Sequence, residues 1–266
     1  MQQSDKPHFG IILIGDELLN GRKQDGHLAA VIERFAVRGL ELNWVRMIGD
    51  DPQLLTATLA QTFASNDIVL SFGGIGATPD DRTRQCAAGA LGVEIALHPE
   101  AEAEIRNVFN NQVTPQRLRM GEFPVGSRII PNPINRIAGF SIHRHHFVPG
   151  FPRMAWPMVE WVLDNEYPHL LAPGSVVQEN LLLVNTSEGP LIPLMEELLA
   201  SYPDLTLACL PNADGKREVE LSLKGTPARV ELGMAMLRQE LQALFPGMLE
   251  EQGAGIMTIA TGAARV

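Results

Sequence analysis

The sequence predicts an α/β protein: a three-layer α/β/α domain with a mostly parallel sheet, followed by a small α+β domain. Three observations point there. Short apolar runs alternate with helical stretches in the order β-α-β-α-β-α, with short loops between them, which calls for a parallel sheet covered on both faces. A glycine cluster, Gly73-Gly-Ile-Gly76, sits where one of those runs gives way to a helical pattern. The texture changes over Tyr167–Ser175, which holds two prolines and a glycine, so the domains are expected over residues 1–170 and 171–266.

The elements follow in order. Residues 8–14 read as a central strand, and Gly15-Asp16-Glu17 as the turn after it. Asp25 is placed to cap a helix in which Leu28, Val31, Ile32 and Phe35 recur at i, i+3, i+4 and i+7, with Gly39 as its stop. Leu42–Ile48 is a second strand; Gly49-Asp50-Asp51-Pro52 opens a helix carrying Leu55, Leu59 and Phe63, with Pro in its first turn. Asp67–Phe72 is the third strand and runs into the glycines. Pro99–Asn111 reads as helix, 114–137 as loops and short strands, Phe140–Val148 as a strand, and Pro152 to about Asn165 as helix. In the second domain, strands are expected at Asn180–Val184, Leu205–Leu210 and Glu218–Leu223, and helices at Pro190–Ser201 and from Pro227 to about Leu244. Asp214-Gly215 marks a hairpin, and the residues after Gly247 read as frayed.

Composition narrows the function. The 266 residues are 45% hydrophobic and carry a formal charge of −10 with no basic block, which disfavours a nucleic-acid partner. Cys86 and Cys209 have no partner motif, which fits reduced thiols and a cytoplasmic location. Neither a signal segment nor a run of membrane-spanning length is seen, so no membrane association is expected. A Gly-x-Ser-x-Gly elbow is absent as well, which argues against nucleophilic catalysis.

The chemistry concentrates at the carboxyl ends of the strands, where such sheets bind polar ligands. Gly73, Gly74 and Gly76 allow close backbone approach and left-handed conformations, and the amides at the next helix start suit a phosphate. Thr78 is a possible donor to that phosphate and equally a helix-start residue. Asp80 and Asp81 share the turn; one is expected to hold ligand or metal and the other to fix the turn, the alternative being that both cap the helix. Asp16, Glu17, Asp50 and Asp51 converge on the same edge. Their mutual repulsion calls for a divalent cation (Mg²⁺, Mn²⁺ or Co²⁺) or for a ring with N–H donors. Asn132 is a ligand contact or a turn former. His27 should face this edge, as a base or as filler. His143, His145 and His146 read as a solvated or paired cluster ahead of a metal site.

Several segments resemble the molybdopterin-binding (MoaB/MogA-like) fold and, within it, the CinA-type proteins called competence/damage-inducible. They are Ile14-Gly-Asp-Glu-Leu-Leu19 with Gly21, Ile48-Gly-Asp-Asp51, Gly73-Gly-Ile-Gly-Ala-Thr-Pro-Asp-Asp-Arg-Thr83, Pro131-Asn132 with Ala138-Gly139-Phe140, and Val148-Pro-Gly-Phe-Pro152. They fall in family order over residues 8–165, and the remainder resembles the small second domain of CinA proteins. The resemblance implies either a molybdopterin ligand, as in molybdenum-cofactor biosynthesis, or divalent-metal-dependent hydrolysis of an ADP-ribose-type pyrophosphate. In the second case Asp81 matches the family's key acid, Asp80 and Asp81 are the catalytic candidates, and Asp81 and Asp16 the metal ligands. A homo-oligomer is expected. The chain ends before the deamidase domain that many CinA proteins add, so deamidation is not expected. Four segments depart from the pattern: Asp25-Gly26-His27 has His for Asn, Ile75 and Ala77 replace Leu and Pro, Asn135-Arg136 stands for Gly-Thr, and Arg153-Met154 lacks the usual Glu. These departures also admit a catalytically silent binding protein.

Overall fold

The computed structural model describes residues 7–212, 216–253 and 255–259. The chain forms two compact units, Met1–Leu171 and Ala172–Val266.

The first unit begins with β1 (Phe9–Ile14), the one-turn helix α1 (Asp16–Leu19), α2 (His27–Arg38), β2 (Leu42–Ile48), α3 (Pro52–Phe63), β3 (Ile68–Phe72) and α4 (Thr83–Leu91). It continues through β4 (Ile95–Leu97), α5 (Pro99–Phe109), α6 (Pro115–Leu118), β5 (Glu122–Pro124), β6 (Arg128–Ile130), β7 (Gly139–Ile142), β8 (His145–Val148) and α7 (Pro152–Glu166). The main sheet has the order β2-β1-β3-β8-β7-β6. Its pairs from β2 through β8 are parallel, and β7 runs antiparallel to both β8 and β6.

Alternation along β1 shows why three layers form. Ile11 and Leu13 join Val31, Phe35, Val159 and Leu163 in the core under α2 and α7. Ile12 and Ile14 join Leu55, Leu59, Cys86 and Ala87 under α3 and α4. A strand with no exposed residue must be covered twice. Gly39 closes α2 in the left-handed region, at φ 69°.

In the second unit β9 (Val177–Val184), α8 (Ile192–Ser201), β10 (Thr206–Pro211), β11 (Glu218–Gly225), α9 (Pro227–Leu244), β12 (Leu249–Glu251) and β13 (Ile256–Ile259) build a five-stranded sheet, β10-β11-β9-β13-β12. Leu181, Leu183, Leu221 and Leu223 pack there against Leu194, Leu198, Val230 and Leu237 of the helices. β10 and β11 pair antiparallel, as a hairpin requires; the Asp214-Gly215 turn lies outside the described residues.

Four expectations are corrected. Gly15-Asp16-Glu17 does not stay a turn: Asp16 and Glu17 enter α1. Ile32 is 50% exposed, and the buried stripe of α2 runs instead through His27, Ala30, Val31 and Phe35. Phe140–Val148 is two strands, β7 and β8, folded back at His143-Arg144 with His143 at φ 52°. Nothing in that dipeptide has the Asn-Gly or Gly signature of a tight hairpin. Finally, the described residues after Gly247 are not frayed: β13 lies parallel to β9 and buries Met257 and Ile259.

Candidate functional site

β1, β3 and β8 end side by side, and the segments that follow them enclose a cavity of about 550 Å³. Its wall carries Glu17 after β1, the Gly73–Thr78 turn after β3, and Pro149–Pro152 after β8. Asn132, Asn135, Ile137 and Ala138 close the far side.

The glycine turn is held from behind by α4. Gly73 and Gly74 lie at φ 106° and 66°. A Cβ on Gly73 would meet the Ile14 carbonyl oxygen at 2.5 Å, one on Gly74 the Thr83 hydroxyl at 2.1 Å, and one on Gly76 the Asp81 carboxylate at 2.4 Å. The buried Thr83 donates its hydroxyl to the Gly73 carbonyl (3.0 Å) and its amide to the Gly74 carbonyl (3.0 Å). The buried Arg84 guanidinium donates to the Gly76 carbonyl. The amides of Gly74, Ile75, Gly76 and Ala77 donate to no acceptor among the described residues. Four consecutive amides on a cavity wall are thus left as unspent donors, the donor pattern of a backbone nest.

The predicted acids separate. Glu17, Asp50, Asp80 and Asp81 line the cavity, joined by Asp25. Asp16 and Asp51 do not. Asp51 caps α3, accepting from the Leu54 amide at 2.7 Å. Asp16 and Asp50 brace two loops reciprocally: Asp16 accepts from the Asp50 amide (3.1 Å) and Asp50 from the Asp16 amide (3.0 Å). Burial, with the charges of Asp16, Glu17 and Asp80 nearby, raises the Asp50 pKa, against the pull of its bond to the Asp16 amide. Asp81 takes both the amide and the hydroxyl of Thr78 on one oxygen, so it fixes the turn; that hydroxyl is spent there as a donor. Glu17 pairs at 3.7 Å with Lys23 at the cavity mouth.

Asn132 lines the cavity but serves its own loop, accepting from the Ile134 amide (3.0 Å) and donating to the Ile137 carbonyl (3.0 Å). His27 is 6% exposed on the cavity wall. Its ring lies on Phe72, centroids 4.4 Å apart, with Nε2 3.4 Å from the Gly150 carbonyl oxygen. Burial lowers its pKa, leaving the ring uncharged at neutral pH. Of the two readings of the histidine cluster, solvated or paired, the solvated one is corrected: His145 and His146 are buried on opposite faces of the sheet and paired there. His145 bonds Thr62 (2.9 Å), and His146 bonds Ser141 (2.8 Å) and Tyr167 (2.7 Å).

Metal-ligand geometry is not met. Among the described residues, no group of three or more His, Cys, Asp or Glu stands together as a metal cage. Asp81 gives one of its two oxygens to Thr78, and Asp16 lies off the cavity wall. These residues do not fit a resident divalent ion.

Sequence reasoning missed Arg84, Phe151 and Lys23. Phe151 is 63% exposed on the cavity rim, with the Lys23 ammonium 5.7 Å from its ring centre. An arginine in the first turn of a helix otherwise facing inward with Cys86, Ala87 and Ala88 carries no pattern, and only packing shows it to be buried.

Residues 10–170 match the family described as "Probable molybdopterin binding domain". The chain belongs to that family. Several of its relatives are named CinA-like or competence-damage inducible. A "CinA-like protein" of Citrifermentans bemidjiense is 29% identical over 253 residues, covering 91% of this chain and 60% of the relative. An Aeropyrum pernix protein is 26% identical over 261 residues, covering 95% and 97%. The crystal structure of a CinA protein "with unknown function" from Thermoplasma acidophilum superposes with a TM-score of 0.55 at 24% identity, over 62% of this chain and 99% of that one. The chain spans about half the length of several bacterial relatives it matches. The molybdopterin-binding-like domain thus coincides with the unit that holds the cavity.

Proposed function

We propose that this chain binds a phosphorylated pterin of the molybdopterin type in the cavity between the glycine turn and the acidic wall. The observation that carries this reading is the juxtaposition, in one cavity, of four unspent amides with Glu17, Asp25 and Asp50. The amides suit a phosphate. The carboxylates suit the amino and ring N–H donors of a pterin, which supplies the cationless answer to their crowding. The family description supports the same ligand class. The neutral His27 ring and Phe72 give the cavity an apolar floor, and domain 1–170 is the binding domain in this reading, with 171–266 an accessory unit.

The test is titration of the full chain with molybdopterin, followed by pterin fluorescence. Saturable binding that Glu17→Gln weakens about tenfold or more, the scale of one charge-assisted hydrogen bond, supports the proposal. Absence of binding sinks it.

Hydrolysis of an ADP-ribose-type pyrophosphate is a second reading. What favours it is the position of Asp80 and Asp81 beside the nest that would hold a pyrophosphate oxygen; the lack of a metal ligand set weighs against it. Turnover of ADP-ribose with Mg²⁺, Mn²⁺ or Co²⁺ that disappears in Asp81→Asn would establish it. Self-association is proposed from the exposed Ile32 and Val37 of α2, and light scattering at a multiple of the chain mass is the expected result.

A further inference from the structure

We infer that Arg84 is a positioning residue for the phosphate end of the ligand: it turns the Gly76–Ala77 peptide so that its N–H joins the nest, and it sets a buried positive charge behind that nest. This rests on the reading that the turn holds a phosphate.

Arg84 is 2% exposed and is among the largest fully buried side chains. Its guanidinium donates to the Gly76 carbonyl and, at 3.4 Å, to the Glu122 carbonyl. Nε is buried with no acceptor. Among the described residues it makes no ion pair. Burying an arginine this way is costly, because backbone carbonyls return only part of the lost hydration. The carboxylates of Glu122 and Asp81 act on its charge through space without pairing with it directly, so a phosphate on the turn would give the guanidinium a further counter-charge.

The peptide geometry gives that charge a direction. In a trans peptide the C=O and N–H point opposite ways. Arg84 pulls the Gly76 carbonyl to the α4 side, so the Ala77 N–H faces away from α4. Thr83 does the same to the carbonyls of Gly73 and Gly74, which turns the amides of Gly74 and Ile75 outward. Three carbonyls drawn back turn out three of the nest's four amides. The cavity wall carries Glu17, Asp25, Asp50, Asp80 and Asp81 against the single cation Lys23, so a phosphate entering it meets net repulsion unless positive charge lies beneath the turn. Arg84 supplies it through low-dielectric protein, where charge acts over longer distance than in water.

The experiment titrates inorganic pyrophosphate into the wild-type chain and into Arg84→Met, Arg84→Gln and Arg84→Lys, reading affinity by calorimetry and Tm with and without pyrophosphate. The expected result is pyrophosphate binding by the wild type, weakened about tenfold or more in Arg84→Met, the size of one charge interaction at a protein-like dielectric. The ligand-free Tm of that variant should be equal to or above the wild type. Arg84→Gln keeps a donor for Gly76 without the charge and should also lose affinity, while Arg84→Lys should regain most of it. Should Arg84→Met fail to fold, the Gln and Lys pair decides alone. Equal affinity in Arg84→Gln and wild type overturns the inference and leaves Arg84 a structural brace. A wild type that does not bind pyrophosphate overturns the phosphate reading itself, a distinct failure.

Discussion

Single atoms decide what the glycine turn tolerates. Gly74 holds φ 66° with the Thr83 hydroxyl where a Cβ would stand. Gly74→Ala is therefore expected to lose about 1–3 kcal/mol of stability, measured by urea denaturation, and to lose ligand binding with it. Asp50 behaves differently. Burial raises its pKa, so its carboxylate is less favourable folded than unfolded. For a group raised in this way, the stability it contributes is complete below the ordinary carboxyl range and is lost as pH rises through the folded value. Asp50→Asn should thus melt higher than the wild type at pH 7, and the difference should shrink as pH falls into the carboxyl range. A thermal melt at each pH reads this directly; a gap that widens on acidification would contradict it.

Among the elements, α3 and the β7–β8 hairpin make separable predictions. Asp51 caps α3 and stays off the cavity wall. Asp51→Ala should cost about 1 kcal/mol, the usual worth of an N-cap, and leave ligand affinity unchanged, whereas Glu17→Gln should do the reverse. The hairpin buries His145 and His146, whose pKa values burial lowers to about 3. The neutral ring of His146 completes a chain of bonds: Tyr167 donates to Nε2, Nδ1 donates to Ser141, and Ser141 donates to Glu166. That orientation follows from the partners, since only it satisfies all of them. Both histidines are depressed below the unfolded value of 6.5, so their contribution is complete above that pH and is lost as pH falls toward 3. Each should remove on the order of 1 kcal/mol per pH unit across that window. Urea unfolding at pH 7.5, 5.5 and 4.5 should show the decline, with a shallower slope in His146→Asn. The sequence shows three histidines close together but not that a turn at His143-Arg144 would bury two of them. That turn uses a positive φ at a non-glycine residue, which no local pattern announces.

For the molecule as a whole, each compact unit has a core of its own. Residues 1–171 expressed alone are expected to fold and to bind ligand like the full chain; aggregation, or loss of binding by a folded fragment, would show that the second unit completes the site. Much of this organisation was legible. Amphipathic spacing located α2 and α3, continuous apolar runs located β1 and β3, and a break at prolines and a glycine separated the two textures, because helix and strand periods are local properties of the chain. The order of those elements also brought the glycine turn and most of the acids to one edge, since parallel strands must end on the same side. Only tertiary packing sorted the acids. Asp16 and Asp51 stand as close in sequence to the strand ends as Glu17 and Asp50 do, yet only the latter two reach the cavity wall. The burial of Arg84, the second-unit strand at Ile256–Ile259 and the fold-back after Ile142 were decided there too. Each depends on contacts between segments far apart in the chain, and the identity and spacing of neighbouring residues carry no record of them.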